Sequence, residues 1–522
     1  MSHWSFYFLA KLGLFHAGRL DFHWQLNLLL ALALLWPLAP GRMKTWRVWL
    51  AWPLALALLY YDSYLPPIGR VLAQIPALTN FRLDYLGELL GRTIEGRTVL
   101  GALAAFAIYL LLARRIRFAT VAFVGILSVP LSNTLLLSPV SAGSTTTQAS
   151  SAPGTAGATT PTATQDPDSQ LQAFYASEAR RTLHLSSNGA TPPFDIIVLQ
   201  VCSLSWDDLD LVGMRDNPLF KRFDAVFSRF NSAASYSGPA ALRLARGACG
   251  QVSHHDLYEG ADPACYLFPS LERLGYHTHG LLNHDGAFDD FAKTLETRAG
   301  LAGTLELPSG VPVTMHSFDG SPIYADGPLL SRWWHQRLAQ GAQPAALYYN
   351  TITLHDGNRI DGVASRSSLD TYKPRLTRLL ADFDQFITEL ETTDRPVVLL
   401  MIPEHGAGLR GDRFQISGMR EIPNPRITQV PAALKIIGLP KGQHADTVVV
   451  DRPVSYFDIN ALVLDMLQRS PFAAGSPSLA DRLKNLQTTT FVAENDDVVM
   501  MREPDGKYLM RTGKSAWVDY TP

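Results

Sequence analysis

Apolar residues are spread very unevenly along this chain. Residues 26–39 form a nearly pure apolar run, and further runs occupy 46–61, 99–113 and 118–137. Residues 4–15 make a fifth, broken by Lys11. A helix that crosses a bilayer needs about 20 mostly apolar residues, with a lower limit of about 17. The pattern predicts an N-terminal membrane domain over 1–137 with about five transmembrane helices. Because the runs continue to residue 137, they do not read as a cleaved signal peptide. Arg42, Lys44 and Arg47 cluster in one short loop, and Arg114, Arg115 and Arg117 in another. Positive charge accumulates on the cytoplasmic side, so both loops are expected there. With five spans the N-terminus is inside and everything beyond Leu137 is outside. Residues 62–97 then lie outside between spans, and 81–90 has the pattern of an amphipathic surface helix.

The pattern changes abruptly after Leu137. From Ser138 to about Gln170 the chain is mostly Ser, Thr, Ala, Gly, Pro and Gln, a composition that buries no core and reads as a flexible tether. A soluble domain over 171–522 follows, and its first strand signal comes just after Pro193. Short buried-strand runs occupy 196–201, 345–351 and 397–402, with a fourth at 432–437. Leu376, Leu379, Leu380, Phe383, Ile387 and Leu390 follow helical spacing between the second and third. Strands alternating with helices predict an α/β fold with a mainly parallel sheet covered on both faces. Near the C-terminus, runs around Val498 and Tyr508 flank Asp505-Gly506, a hairpin signal.

Composition refines this picture only a little. The 522 residues carry a formal net charge of −2, and 47% are hydrophobic. That average conceals one membrane-like and one soluble part. Near-neutral charge without a basic patch excludes the usual nucleic-acid binder. The three cysteines, Cys202, Cys249 and Cys265, all follow the hydrophobic region. Outside the cytoplasm Cys249 and Cys265 can pair, closing a loop worth about 3 kcal/mol in the chain-entropy model. Cys202 is then the odd thiol. The other reading of the pair is two buried free cysteines.

The strand runs end in residues competent for metal binding. Cys202 follows one strand, Glu404 and His405 follow another after Pro403, and His355 and Asp356 come shortly after a third. In open α/β sheets ligands bind at the carboxyl ends of the strands. Sulfur, oxygen and nitrogen donors all suit zinc, whose catalytic sites keep one position open. Adjacent residues on a strand point to opposite faces, so Glu404 and His405 share a metal only where the strand has ended, a break that Pro403 and Gly406 supply. On their own these residues read more simply as a buried cysteine and a surface Glu-His pair. In 235–242, Pro239 suits the first turn of a helix, which places Ser237 just before it, near backbone N–H groups that attract phosphate. A serine there is a nucleophile where a metal lowers its hydroxyl pKa. Its commoner meaning is a plain helix cap.

Taken together, the motifs are more specific. The runs Cys202-Ser-Leu-Ser-Trp206, Asn231-Ser-Ala-Ala-Ser-Tyr-Ser-Gly-Pro-Ala240 and Pro403-Glu-His-Gly406 resemble the cellulose phosphoethanolamine transferases of bacterial cellulose secretion systems. Leu354-His-Asp-Gly-Asn358, Phe318-Asp-Gly-Ser-Pro322 and Gly411-Asp-Arg413 are similar to that family as well. The resemblance runs from the first apolar segments to the C-terminus. It implies an alkaline-phosphatase/sulfatase-like domain in the periplasm, tethered to a bundle in the bacterial inner membrane. It implies Cys202, Glu404 and His405 as zinc ligands and Ser237 as nucleophile. Tyr236, His355 and Arg420 match positions lining the family's active site. In relatives that modify lipid A, an acidic residue or Thr often stands where Cys202 and Ser237 stand here. The cysteine–serine combination points to the cellulose branch.

The implied reaction is ping-pong. Phosphatidylethanolamine donates phosphoethanolamine to Ser237, and a glucosyl primary hydroxyl of cellulose accepts it. His355 serves as acid or base, and Arg420 neutralises phosphate oxygens. Partners implied are the inner membrane and components of a cellulose synthase or secretion complex. Two alternatives stand beside this reading: the same chemistry on lipid A or another glycan, and a non-catalytic membrane component of a cellulose secretion complex.

Overall fold

The computed structural model describes residues 2–17, 20–37, 41–63, 68, 72, 81–93, 96–113, 115–136, 166–187, 193–365, 367–412, 414–439, 446–513 and 515–521. Most of the expected tether, together with Ala39, Arg114, Leu137 and Arg413, lies outside them. The chain divides into two compact units. One comprises Met1–Leu65 and Ile94–Asp166; the other comprises Pro66–Thr93 and Pro167–Pro522.

In the first unit each apolar run forms a helix: Ser2–His16, Trp24–Leu35, Arg42–Asp62, Gly96–Leu112 and Phe118–Leu136. Among the described residues no helix is long and apolar enough to cross a membrane. The first two have 15 and 12 residues, and the third opens on Arg42, Lys44 and Arg47. Lys11, which interrupts the first run, is buried, and its Nζ lies 2.5 Å from Asp62 Oδ2 and 2.8 Å from Asn27 Oδ1. Asn27 in turn donates to Asp62 Oδ2 at 2.8 Å, so the buried charges are paired and hydrogen-bonded. The outer surface is apolar. Trp46, Trp49, Leu54, Leu56, Leu103, Leu111 and Val124 are all exposed.

The second unit holds fifteen described strands. They are β1 (Asp195–Val201), β2 (Ala225–Asn231), β3 (His277–Leu282), β4 (Leu305–Glu306), β5 (Val313–His316), β6 (Pro322–Tyr324), β7 (Ala345–Thr351) and β8 (Arg359–Ile360). The rest are β9 (Val397–Pro403), β10 (Gln429–Ile437), β11 (Val448–Val450), β12 (Val492–Glu494), β13 (Val498–Arg502), β14 (Tyr508–Thr512) and β15 (Val518–Tyr520). Eight form the main sheet, in the order β11-β2-β10-β9-β1-β7-β3-β4. All its pairings are parallel except the two made by β10, so the sheet is mixed and mainly parallel. The run at 432–437 is thus a strand, but one that runs against its neighbours.

Strands β1, β7 and β9 are buried along their whole length, as a sheet covered on both faces requires. Ile196 and Val198 pack into one core with the helices Ser237–Ala245 and Tyr456–Gln468. Ile197, Leu199 and Val201 point into the other, against Asp326–Ala339 and Tyr372–Glu391. All six residues of the helical pattern at 376–390 are buried in that second core. The Asp505-Gly506 hairpin joins β13 to β14 in a separate sheet of order β12-β13-β14-β15.

Two boundaries differ from those the sequence predicts. The helix Pro167–Glu178 begins inside the stretch read as tether. Its Leu171 and Phe174 are buried against Val492, Met501 and Leu509, and these two apolar side chains give a polar segment something to bury. The expected surface helix is found at Leu83–Thr93 and belongs to the second unit. Cys249 and Cys265 are joined by a disulfide, and Cys202 is free and buried.

Candidate active site

The carboxyl ends of the three central strands lie level. Val201 of β1 pairs with Thr351 of β7 on one side and Pro403 of β9 on the other. Residues that follow these positions therefore emerge at one edge of the sheet. The Cys202 N–H donates to the Thr351 carbonyl at 3.0 Å, and the Glu404 N–H to the Val201 carbonyl at 2.9 Å. Beyond that the backbone turns sharply. Ser203 has φ +63°, a left-handed conformation uncommon outside glycine. Gly406 is required by close approach, because a Cβ there would lie 2.5 Å from Ser205 Oγ. Its N–H donates to the Ile427 carbonyl at 2.7 Å.

Cys202, Glu404 and His405 are fully buried, and their donor atoms lie within 4.8 Å of one another. Cys202 Sγ is 3.8 Å from His405 Nε2, which is 3.7 Å from Glu404 Oε2. The His405 tautomer follows from its other nitrogen. Nδ1 lies 2.9 Å from the Gly406 carbonyl, which accepts only, so Nδ1 carries the proton and Nε2 presents a lone pair to the cluster. Asn350 of β7 donates to Glu404 Oε1 at 2.6 Å, which orients the carboxylate. Glu404 Oε2 is buried with no hydrogen-bond partner among the described residues. An unsatisfied acceptor facing sulfur and imidazole donors fits a metal ion, and this donor set suits zinc.

Ser237 stands across from this cluster, its Oγ 3.5 Å from Cys202 Sγ. It is the first residue of the helix Ser237–Ala245, which begins one residue earlier than the sequence suggests, and Tyr236 occupies the cap position without a side-chain bond to the helix. In its first turn the N–H groups of Ser237 and Gly238 have no intrahelical acceptor, and Pro239 carries none.

Charged and titratable groups close the rim. Arg420 is buried, and its Nη1 donates to Ser203 Oγ at 3.1 Å while lying 3.4 Å from His405 Nε2. Its Nη2 is 3.4 Å from His355 Nε2, and its guanidinium lies over the Tyr236 ring, 5.7 Å from the centroid. The Tyr236 hydroxyl bonds to Glu421. His355 Nδ1 donates to the Asp356 carbonyl at 2.7 Å. Burial and then the Arg420 charge push the His355 pKa down to about 4 and hold His405 well below its usual value. Burial, then the neighbouring Glu404, pushes the Cys202 thiol up to about 12.

All seven residues singled out from the sequence thus gather at one sheet edge. Asp356, read together with His355 from the strand end, joins them, whereas sequence reasoning missed Asn350 and Asn495. Asn350 had a readable signal, a lone amide near the end of a buried apolar strand. Asn495 Nδ2 donates to the Arg420 carbonyl at 3.1 Å and to Ser235 Oγ at 2.6 Å, but it comes from a distant loop with no motif.

A mainly parallel α/β sheet carrying a buried sulfur, oxygen and nitrogen donor set beside a serine hydroxyl defines a candidate site for metal-assisted nucleophilic chemistry. Family models described as the N-terminal and C-terminal domains of cellulose biosynthesis protein BcsG match residues 4–131 and 152–517. The chain belongs to the BcsG family of cellulose biosynthesis proteins. It is 36% identical over 544 residues to the Escherichia coli K12 protein of that name, covering 100% of this chain and 96% of the relative. It is also 36% identical over 543 residues to the Salmonella typhimurium LT2 protein, with the same coverage. Among solved structures, it is similar to the soluble domain of lipooligosaccharide phosphoethanolamine transferase A from Neisseria meningitidis. That match has 16% identity and a TM-score of 0.39, covering 58% of this chain and 96% of that one. The C-terminal periplasmic domain of EcEptC from Escherichia coli, in complex with Zn, is 12% identical with a TM-score of 0.43, covering 65% and 96%.

Proposed function

We propose that this chain transfers phosphoethanolamine from phosphatidylethanolamine to primary hydroxyls of cellulose, through a covalent adduct on Ser237. The observation that carries the reading is the Ser237 hydroxyl, at a helix N-terminus and 3.5 Å from the thiol of a buried Cys-Glu-His cluster. Membership of a cellulose biosynthesis family supports the acceptor, and the motif resemblance supports the transferred group. Cys202, Glu404 and His405 would hold zinc, whose Lewis acidity favours ionised oxygen at Ser237.

The protein's own groups then divide the work. Ser237 Oγ forms a bond to phosphorus as the bond to the lipid's glycerol oxygen breaks. The Ser237 proton passes to His355 Nε2 and on to the departing diacylglycerol. In the second half a glucosyl hydroxyl attacks the same phosphorus, its proton is taken by Nε2, and the Ser237 bond breaks with return of that proton to Oγ. Arg420 and the backbone N–H groups of the first helical turn balance charge on the non-bridging oxygens. Cellulose from cells whose only copy carries Ser237→Ala should contain no phosphoethanolamine, measured by solid-state phosphorus NMR. Wild-type modification in that strain would overturn the reading.

A lipid donor places the first unit in the bacterial inner membrane and the second in the periplasm, beside components of the cellulose synthase complex. An exposed Trp- and Leu-rich surface over a buried, paired Lys11–Asp62 contact supports a bilayer environment. A reporter active only in the periplasm, fused after Gln165, should be active. Activity of a cytoplasm-only reporter there would overturn the topology.

A further inference from the structure

The second unit contains a helix that the chain supplies from far upstream. Leu83–Thr93 lies between two helices of the first unit in sequence, yet it packs in the unit that holds the site. Its polar face is spent on the loop that carries His355. Arg92 forks onto Asp356, with Nη1 2.6 Å from Oδ2 and Nη2 3.0 Å from Oδ1. Tyr85 donates its hydroxyl to Asp356 Oδ2 at 3.2 Å. Glu88 accepts from Ser367 Oγ at 2.6 Å and from the Ser368 N–H at 3.0 Å, and it pairs with Arg359. Arg92, Asp356 and Glu88 are all largely shielded from solvent, with side-chain exposures of 12%, 9% and 4%.

Asp356 is the residue whose carbonyl accepts the His355 Nδ1 proton. That bond fixes the tautomer in which Nε2 is the acceptor, the form needed to take a proton. The same ion pair also supports the loop bearing Arg420. Gly418, two residues before Arg420, has φ +84°, and a Cβ there would lie 2.8 Å from Arg92 Nη1 and 3.1 Å from Asp356 Oδ2. The Arg92–Asp356 pair therefore sits where three segments meet: the upstream helix, the His355 loop and the Arg420 loop. Arg375 donates to the His355 carbonyl at 3.0 Å, while the Asp356 carboxylate also accepts from Ser368 Oγ at 2.5 Å and from the Gly357 N–H at 2.9 Å.

We infer that Arg92 is a positioning residue for the transfer reaction: by clamping Asp356 it sets the tautomer and place of His355 and the approach of Arg420, so that a helix from the N-terminal half completes the active site. This rests on the functional reading above, in which His355 carries the proton.

The test uses the full-length protein in detergent with a chromogenic phosphoethanolamine ester. Arg92→Met should lower kcat by about tenfold to a hundredfold, the cost of a slightly misplaced catalytic group, while KM and zinc content stay near wild type. Arg92→Lys, which keeps the charge but not the fork, should fall between the two. Methylguanidinium added to Arg92→Ala should recover part of the lost kcat. Wild-type kcat in Arg92→Met overturns the role, as does a loss of kcat that tracks loss of zinc and shows no rescue. Where Arg92→Met does not accumulate, Arg92→Lys decides, and an unchanged kcat there overturns it. If the wild type itself forms no Ser237 adduct, the functional reading fails and the inference falls with it.

Discussion

Cys202→Ala should lose zinc and activity together. Three protein ligands are the usual minimum for a catalytic zinc site, and the substitution leaves only Glu404 and His405. Elemental analysis of the purified full-length variant should find it nearly metal-free, and turnover of a phosphoethanolamine ester should vanish. Ser237→Ala should retain its zinc, because the hydroxyl faces the cluster without belonging to it, yet form no covalent adduct by mass spectrometry. Asn350→Leu should lie between them. It frees Glu404 Oε1 from its 2.6 Å hydrogen bond, and loss of such an orienting partner costs about tenfold to a hundredfold in metal affinity. A Cys202→Ala protein that kept a full complement of zinc would sink the assignment of the cluster as a metal site.

The opposite end of the same strand carries the second large effect, and it is purely structural. Asp195 opens β1 and is fully buried. Its carboxylate accepts from Arg337 at 3.0 and 3.1 Å, from Arg395 and from the Ala345 N–H at 2.7 Å. Arg337 is itself buried. Asp195→Ala removes the carboxylate that pairs with it, and breaking a buried pair from one side costs about 3–5 kcal/mol. Denaturant unfolding followed by tryptophan fluorescence should show that loss. Asp195→Asn should be milder, since the amide oxygen still accepts. Equal stability of Asp195→Ala and wild type would mean that Arg337 finds another partner or reaches water.

How far the fold was legible depends on where its signals lay. Buried parallel strands leave continuous apolar runs, so β1, β7 and β9 could be read directly, as could the helical stripe from Leu376 to Leu390. The site followed from them, because strand ends converge in such a sheet. The direction of β10 could not be read, since a fully buried strand has the same pattern either way. Residues 81–90 showed their helix but not its destination. Amphipathicity reports that a face is covered, and only the pairing of Arg92 with Asp356 says by what. Pro167–Glu178 was hidden because two apolar residues, Leu171 and Phe174, were diluted in a polar stretch.

The upstream helix also has a consequence for how the chain is made. Its contact with Asp356 joins residues 264 apart, and during synthesis the helix emerges long before the sheet it docks against. Closing so long a loop is entropically costly and slow, so docking should come late, after the sheet has formed. Until then Tyr85, Glu88 and Arg92 wait without their partners, and the newly formed sheet has a complete core but an unfinished rim. Maturation of this protein should therefore show two stages, with resistance to proteolysis acquired before catalytic competence.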